Sequence, residues 1–267
     1  MFETATEASG DEKKRDPMPT MGFLDHLEEL RRRLVYSIAA VGVGFVACWW
    51  KVEKIYDIMQ RPIMEALRAN GLSEKLVYLN PTEPFNLYLK ISALAGLFLT
   101  SPFVLYQVWM FISPGLYRNE KRYVVPFMVS TIALFSAGGY FGYRVVYPQA
   151  LGFLIHFGRQ FQPMITIGEY TSLFLSIILG MGLIFEMPIL IFFLALMGIV
   201  SAGFMWKNFR YAILLIFIVA AIVTPTPDVL NMCIFAAPMV ALYAVSIGIA
   251  WLVHPKQRRA RKEKQAA

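Results

Sequence analysis

Along the chain, apolar residues gather into long uninterrupted runs, and charged residues gather between them. A helix needs about 20 apolar residues to cross the roughly 30 Å hydrocarbon core of a bilayer. The runs predict six membrane-spanning helices, at about Leu34–Trp50, Leu87–Ile112, Tyr123–Tyr147, Thr171–Val200, Tyr211–Val223 and Val229–Val253. The fold class that follows is an all-α polytopic membrane protein. Pro102, Pro126, Pro188 and Pro238 fall within the second, third, fourth and sixth spans and predict bent helices. Span four has the opposite length problem to span five. As one helix, Thr171–Val200 reaches ~45 Å, so it must tilt, kink or protrude, and Pro188 offers the kink. Tyr211–Val223 reaches only ~20 Å.

The segments between the runs differ in kind. Residues 1–20 are polar, charged and broken by Pro17 and Pro19, which predicts a disordered tail. Phe23, Leu27, Leu30 and Leu34 recur at helical spacing with Asp25, Glu28, Glu29 and Arg32 between them. That pattern predicts a short amphipathic helix on the membrane surface, running into span one. Arg31-Arg32-Arg33 before an apolar run resembles the basic region of a signal peptide. Cys48-Trp49-Trp50-Lys51 follows where a small-residue cleavage site belongs, so span one reads as an uncleaved anchor. Residues 51–86 form the longest loop: an amphipathic first half, a helix stop at Asn70-Gly71, and a rigid turn at Asn80-Pro81-Thr82-Glu83-Pro84. Residues 148–169 read as a second loop on the same side. Thr224-Pro225-Thr226-Pro227-Asp228 is a tight turn into span six, and residues 254–267 are a basic tail closing the 21–253 membrane domain.

Charge sets the orientation. Of 25 Lys and Arg residues, 17 fall in the N-terminal segment, the second and fourth loops and the C-terminal tail. The first, third and fifth loops hold six, and Lys90 and Arg144 lie within spans. Basic residues mark cytoplasmic loops, so both termini are expected in the cytoplasm. The same distribution explains the net charge of +7 without nucleic acid, since no basic stripe is interleaved with aromatics. The two cysteines, Cys48 and Cys233, sit in apolar runs without ligand spacing and read as small buried apolar residues. There is no HExxH, P-loop or GxSxG, so no metal, cofactor or enzymatic chemistry is expected.

Few residues are candidates for chemistry. Glu186, in Phe185-Glu186-Met187-Pro188, lies near the middle of span four. An ionisable group at that depth costs about 2.5–3.5 kcal/mol, so it should face protein or water. It is either a polar site in a cavity or a structural hydrogen-bond partner of a neighbouring helix. A solute or ion transporter using Glu186 is the alternative that this residue alone keeps open, although no internal repeat supports it. Glu28 and Glu29 stand four residues before Arg32 and Arg33, a spacing that gives helix-surface ion pairs. Glu120 sits in the first turn of span three after Asn119, and Asp228 follows Pro227 at the start of span six; both positions suit helix capping. Gly138 and Gly142 make one GxxxG, a weak packing signal.

Four segments, in order on this hydropathy plan, carry a resemblance to one family. They are His26-Leu27-Glu28-Glu29-Leu30-Arg31-Arg32-Arg33-Leu34; Ser101-Pro102 with Tyr106–Tyr117 and Glu120-Lys121-Arg122; Phe185-Glu186-Met187-Pro188; and Thr224–Asp228. Over about residues 20–253 the chain resembles TatC, the receptor core of the twin-arginine protein translocase. The resemblance implies a glove-shaped, concave bundle in the bacterial cytoplasmic membrane that exports folded proteins using the proton-motive force. It implies single-span TatA and TatB subunits, other TatC copies and twin-arginine signal peptides as partners. Signal binding then falls on Glu29 and Glu120, with Arg31, Phe111, Tyr117 and Arg122 beside them. Glu186 falls on the concave face, and Pro225 and Asp228 on a partner-docking turn. That turn is one residue longer here than the Thr-Pro-Pro-Asp of some members, and Met232 stands where some members carry a polar residue.

Overall fold

The computed structural model describes residues 23–73, 75–112, 124–158, 160–161, 164–196, 199–223 and 229–266. The site expectations at Tyr117, Glu120, Arg122, Pro225 and Asp228 lie outside the described residues. Ten α-helices and one π turn make up the described architecture: α1 (Phe23–Trp49), α2 (Val52–Ala69), α3 (Glu83–Ile112), α4 (Val124–Phe141), the π turn Gly142–Val146, α5 (Tyr147–Phe157), α6 (Ile167–Phe185), α7 (Met187–Leu196), α8 (Ala202–Lys207), α9 (Phe209–Val223) and α10 (Val229–Ala266). Among the described residues four helices are long and apolar enough to cross a membrane: His26–Trp49, Glu83–Phe111, Ile167–Ala195 and Met232–Trp251. The continuous run of α4, π turn and α5 and the 15-residue α9 are the other apolar rods.

Helices pack through their smallest residues, as bilayer helices must when no water drives them together. α1 lies along α3 over its length. A Cβ on Gly96 would stand 2.6 Å from Phe45 N, and one on Gly44 would stand 2.7 Å from Gly96 O. α4 lies on α6 in the same way: a Cβ on Gly138 would meet Met181 O at 2.5 Å, and Gly142 faces the Met181 side chain. The GxxxG signal therefore marks a real helix crossing. Large apolar residues turned away from these seams, such as Val43, Leu99 and Ile222, are exposed and cover the surface that faces lipid.

Prolines bend the rods, and the freed backbone groups find partners. Pro102 removes the N–H that would serve the carbonyl of Phe98; Ser101 Oγ donates to that oxygen at 2.8 Å. Pro62 in α2 does the same to Ile58, whose oxygen accepts from Tyr143 OH at 2.7 Å. Tyr170 OH donates to the next carbonyl, Met59 O, at 2.5 Å. These two tyrosines fasten α2 across the π turn and α6. Met59, Ile63 and Leu67 fill the interface beneath. The bridge between Val77 and Thr166 ties the segment after α2 to the start of α6.

The structure departs from expectation at several joints. The lead-in and span one are a single helix, because nothing between Phe23 and Gly42 breaks it. The expected loop at 148–169 is helical as far as Phe157: the π turn lets Tyr147 N–H reach Gly142 O, so the chain passes Pro148 without stopping. The break in span four falls at Glu186, two residues before Pro188. Glu186 N bonds Leu183 O at 3.1 Å, a tightened last turn, and Leu190 N restarts the ladder on Glu186 O at 3.0 Å. Residues 202–207 form a short helix capped by Ser201 Oγ, which accepts from Phe204 N at 3.2 Å. α10 continues past Val253 to Ala266. Cys48 is half-buried and Cys233 exposed, which in a lipid-facing surface costs a small apolar side chain nothing.

Gly96→Val forces backbone apart at the α1–α3 crossing and is expected to destabilise by about 1–3 kcal/mol, whereas a Cβ on Gly42 meets nothing within 4 Å and Gly42→Ala should be near neutral. Thermal unfolding of the purified variants in detergent checks the contrast. Tyr143→Phe removes the acceptor's partner at Ile58 and should cost about 1 kcal/mol. It should also raise protease cleavage within α2.

Candidate functional site

α1 carries two faces. Leu27, Leu30 and Leu34 are exposed, while His26, Glu29 and Arg33, spaced three and four apart, are partly buried against α3. His26, Glu29 and Arg33 thus face the neighbouring helix, while the leucines, together with Glu28, Arg31 and Arg32, face outward. Two aromatic rings close the end of this seam: His26 stacks on Phe111 with centroids 4.4 Å apart and planes at 19°.

One turn further, Arg33 joins α1 to α3. Its Nη2 donates to Glu29 Oε1 at 3.2 Å, an ion pair with side chains only 13–15% exposed. Its Nη1 donates to Gln107 Oε1 at 3.0 Å. Gln107 is buried, so the guanidinium is anchored in the α1–α3 seam. Glu29 Oε2 and Arg33 Nε are enclosed and have no hydrogen-bond partner among the described residues. Low solvent exposure strengthens the pair and raises the cost of leaving either charge alone.

Among the residues the sequence singled out, the structure brings Glu29 and Phe111 into one cluster. Arg31 is exposed and off that face. Of the two expected helix pairs, Glu29–Arg33 forms, while Glu28 and Arg32 are both exposed. His26 and Gln107 are members the sequence reading did not assign, and Arg33 was expected only as a helix-surface partner of Glu29. The available signals were the spacing of His26, Glu29 and Arg33 on one face and a lone amide, Gln107, inside an apolar run.

Glu186 occupies the corner between α6 and α7, half-buried, with Oε1 enclosed and unpartnered among the described residues. Phe185 beside it packs on Phe141. On the neighbouring seam Trp109 meets Phe193 at 4.0 Å and donates to Thr131 Oγ1 at 3.4 Å. Among the described residues no three His, Cys, Asp or Glu come together as a metal site.

Residues 25–238 match the family model described as Sec-independent protein translocase protein (TatC). The chain belongs to the TatC family. A TatC of Koribacter versatilis is 66% identical over 253 residues, covering 95% of this chain and 93% of that one. A TatC of Desulforapulum autotrophicum is 42% identical and covers 84% of this chain and 82% of its own. The crystal structure of a twin-arginine translocase receptor, TatC, superposes with a TM-score of 0.76 at 34% identity, over 85% of this chain and 99% of that chain. The helical membrane architecture and the translocase family inferred from sequence are thereby shown.

The stack at the mouth of the seam has a measurable consequence. His26→Ala and Phe111→Ala should couple by about 0.5–1.5 kcal/mol in a double-mutant cycle on thermal stability. Strictly additive losses would show that the rings stand apart in the membrane.

Proposed function

We propose that this chain is the signal-peptide receptor and core subunit of a twin-arginine translocase. It crosses the bacterial cytoplasmic membrane six times, through α1, α3, the α4–α5 rod, α6–α7, α9 and α10, with both termini in the cytoplasm. The basic-residue bias supports that orientation. The observation that carries the proposal is the Glu29 cluster: a carboxylate held at the end of a helix seam, already complementary to a guanidinium, with one oxygen unpartnered among the described residues. Carboxylates receive guanidinium groups with fixed geometry and charge assistance that an ammonium does not reproduce.

In this reading Glu29 and Glu120 each receive one arginine of the cargo signal. Tyr117, Glu120 and Arg122 follow within eleven residues of Phe111, which itself adjoins the Glu29 cluster. The apolar part of the signal then slides along the concave side of the bundle toward Glu186. Single-span TatA and TatB subunits dock along α9 and α10, near Pro225 and Asp228. Two features support such docking. α9 reaches only ~22 Å, short of the roughly 30 Å core. An apolar groove lined by Val145, Phe153, Ile234 and Ala237 also runs between the α4–α5 rod and α10. The proton-motive force drives export of folded cargo, and the chain itself performs no covalent step. No observation favours the solute-transport reading of Glu186.

Glu29→Ala or Glu120→Ala should reduce export of a twin-arginine cargo at least tenfold, with the protein still present in the membrane. Transport into inverted vesicles, scored by protease protection of the cargo, measures this. Undiminished transport by either variant removes that residue from the binding site.

A further inference from the structure

Arg144 is a charge that neither the packing of the bundle nor the Glu29 cluster uses. It stands in the π turn of the α4–α5 rod and is exposed. Among the described residues it makes no ion pair. A guanidinium in a spanning rod must meet a counter-charge or reach the headgroups. Its height decides between them. α1 and α4 both run antiparallel to α3: Gly44 of α1 lies against Gly96, and Gly139 of α4 lies against the Phe98 ring. Those two levels are ~3 Å apart along α3. Trp49 comes five residues after Gly44, and Arg144 five residues after Gly139. The two side chains therefore leave their helices at nearly the same height. Tryptophan favours the membrane–water interface. From Glu29 to Trp49 the helix rises ~30 Å, one hydrocarbon core. Arg144 thus sits at headgroup height, on the side of the membrane away from the Glu29 cluster.

A second guanidinium comes to the same place from α2. Tyr143, next to Arg144, donates to Ile58 O at 2.7 Å and so holds α2 against the π turn. Arg61, one turn further along α2, is exposed, and its charge and that of Arg144 both act on the Tyr143 hydroxyl. Glu65 acts on that hydroxyl from the next turn but makes no ion pair with either arginine. Asp57, on the other side of Ile58, is engaged by Gln60 Nε2 at 3.1 Å. Two arginines and one glutamate leave the patch with a net positive charge. Guanidinium groups take phosphate oxygens in a forked, charge-assisted geometry. We propose that Arg61 and Arg144 bind the phosphate of an anionic phospholipid in this leaflet. One headgroup is then shared by α2, which lies outside the spans, and by the rod that crosses the bilayer. The bound lipid holds α2 down on the membrane surface, beside the two tyrosine contacts. Free phosphate has the same chemistry, but only the lipid is confined to this height. The site depends neither on Glu29 nor on cargo.

The test uses the full chain with photoreactive p-benzoylphenylalanine in place of Ile58, which is exposed one turn before Arg61. The protein sits in nanodiscs of phosphatidylglycerol and phosphatidylcholine in equal parts, and lipid adducts on α2 are identified by mass spectrometry. One net positive charge should favour phosphatidylglycerol adducts by about fivefold. Arg61→Gln with Arg144→Gln leaves Glu65 alone and should bring that preference below one. Glu65→Gln adds a net charge and should raise it to roughly thirtyfold. Lys207→Gln removes a charge from α8, past the far end of α6–α7, and should change nothing. Equal labelling of the two lipids by the otherwise unaltered protein overturns the proposal. So does a preference that survives loss of both arginines, or one that falls as far with Lys207→Gln. Excess inorganic phosphate at constant ionic strength should leave the adducts in place. If it removes them, soluble phosphate is the ligand and the lipid assignment falls.

Discussion

The hydrocarbon core offers no water to a backbone carbonyl, and this constraint shapes the protein more than any other. Each proline in a helix releases one such carbonyl. Within the spans, at Pro102 a neighbouring serine hydroxyl takes it and near Pro148 the chain shifts to a wider i→i−5 ladder; in α2, outside the spans, a tyrosine from the π turn takes the carbonyl freed by Pro62. At Pro188 the helix ends and begins again, with Glu186 at the corner. The bends that give the bundle its form are thus local solutions to one accounting problem. α2 is held to the bundle in part because its own broken ladder needs a donor from outside.

With carbonyls satisfied, dispersion contacts decide which rods lie together. Gly44 with Gly96, and Gly138 with Met181, bring backbones so near that even a methyl group does not fit. Close seams fix rotation as well as distance. The α1–α3 crossing therefore determines which residues of α1 face α3, and places His26, Glu29 and Arg33 opposite Phe111 and Gln107. The packing of small residues in the middle of the seam positions the charged residues at its end.

That placement is what turns an ordinary helix ion pair into the recognition element proposed for this chain. An exposed Glu–Arg pair four residues apart contributes little and is common. Enclosed between two helices and tied to a buried amide, the same pair keeps a fixed geometry and a strong field. A receptor for arginine needs an acceptor that is charged, rigid and not already saturated. The Glu29 cluster offers a charged carboxylate held between two helices with Oε2 unpartnered among the described residues.

The sequence by itself determined the helical membrane class, the translocase family and the candidacy of Glu29, Phe111 and Glu186. Those features follow from hydropathy, residue type and short motifs, which are local properties of the chain. It did not show that the segment after Tyr147 stays helical, since continuing past Pro148 depends on a π turn whose wider ladder the residue pattern does not announce. Nor did it show that Arg33 rather than Arg31 faces inward, or that Gln107 meets it. Those contacts join residues 74 positions apart. They are set by the register of one helix on another, and register is decided by the fit of small side chains across the seam, which only the folded bundle brings together.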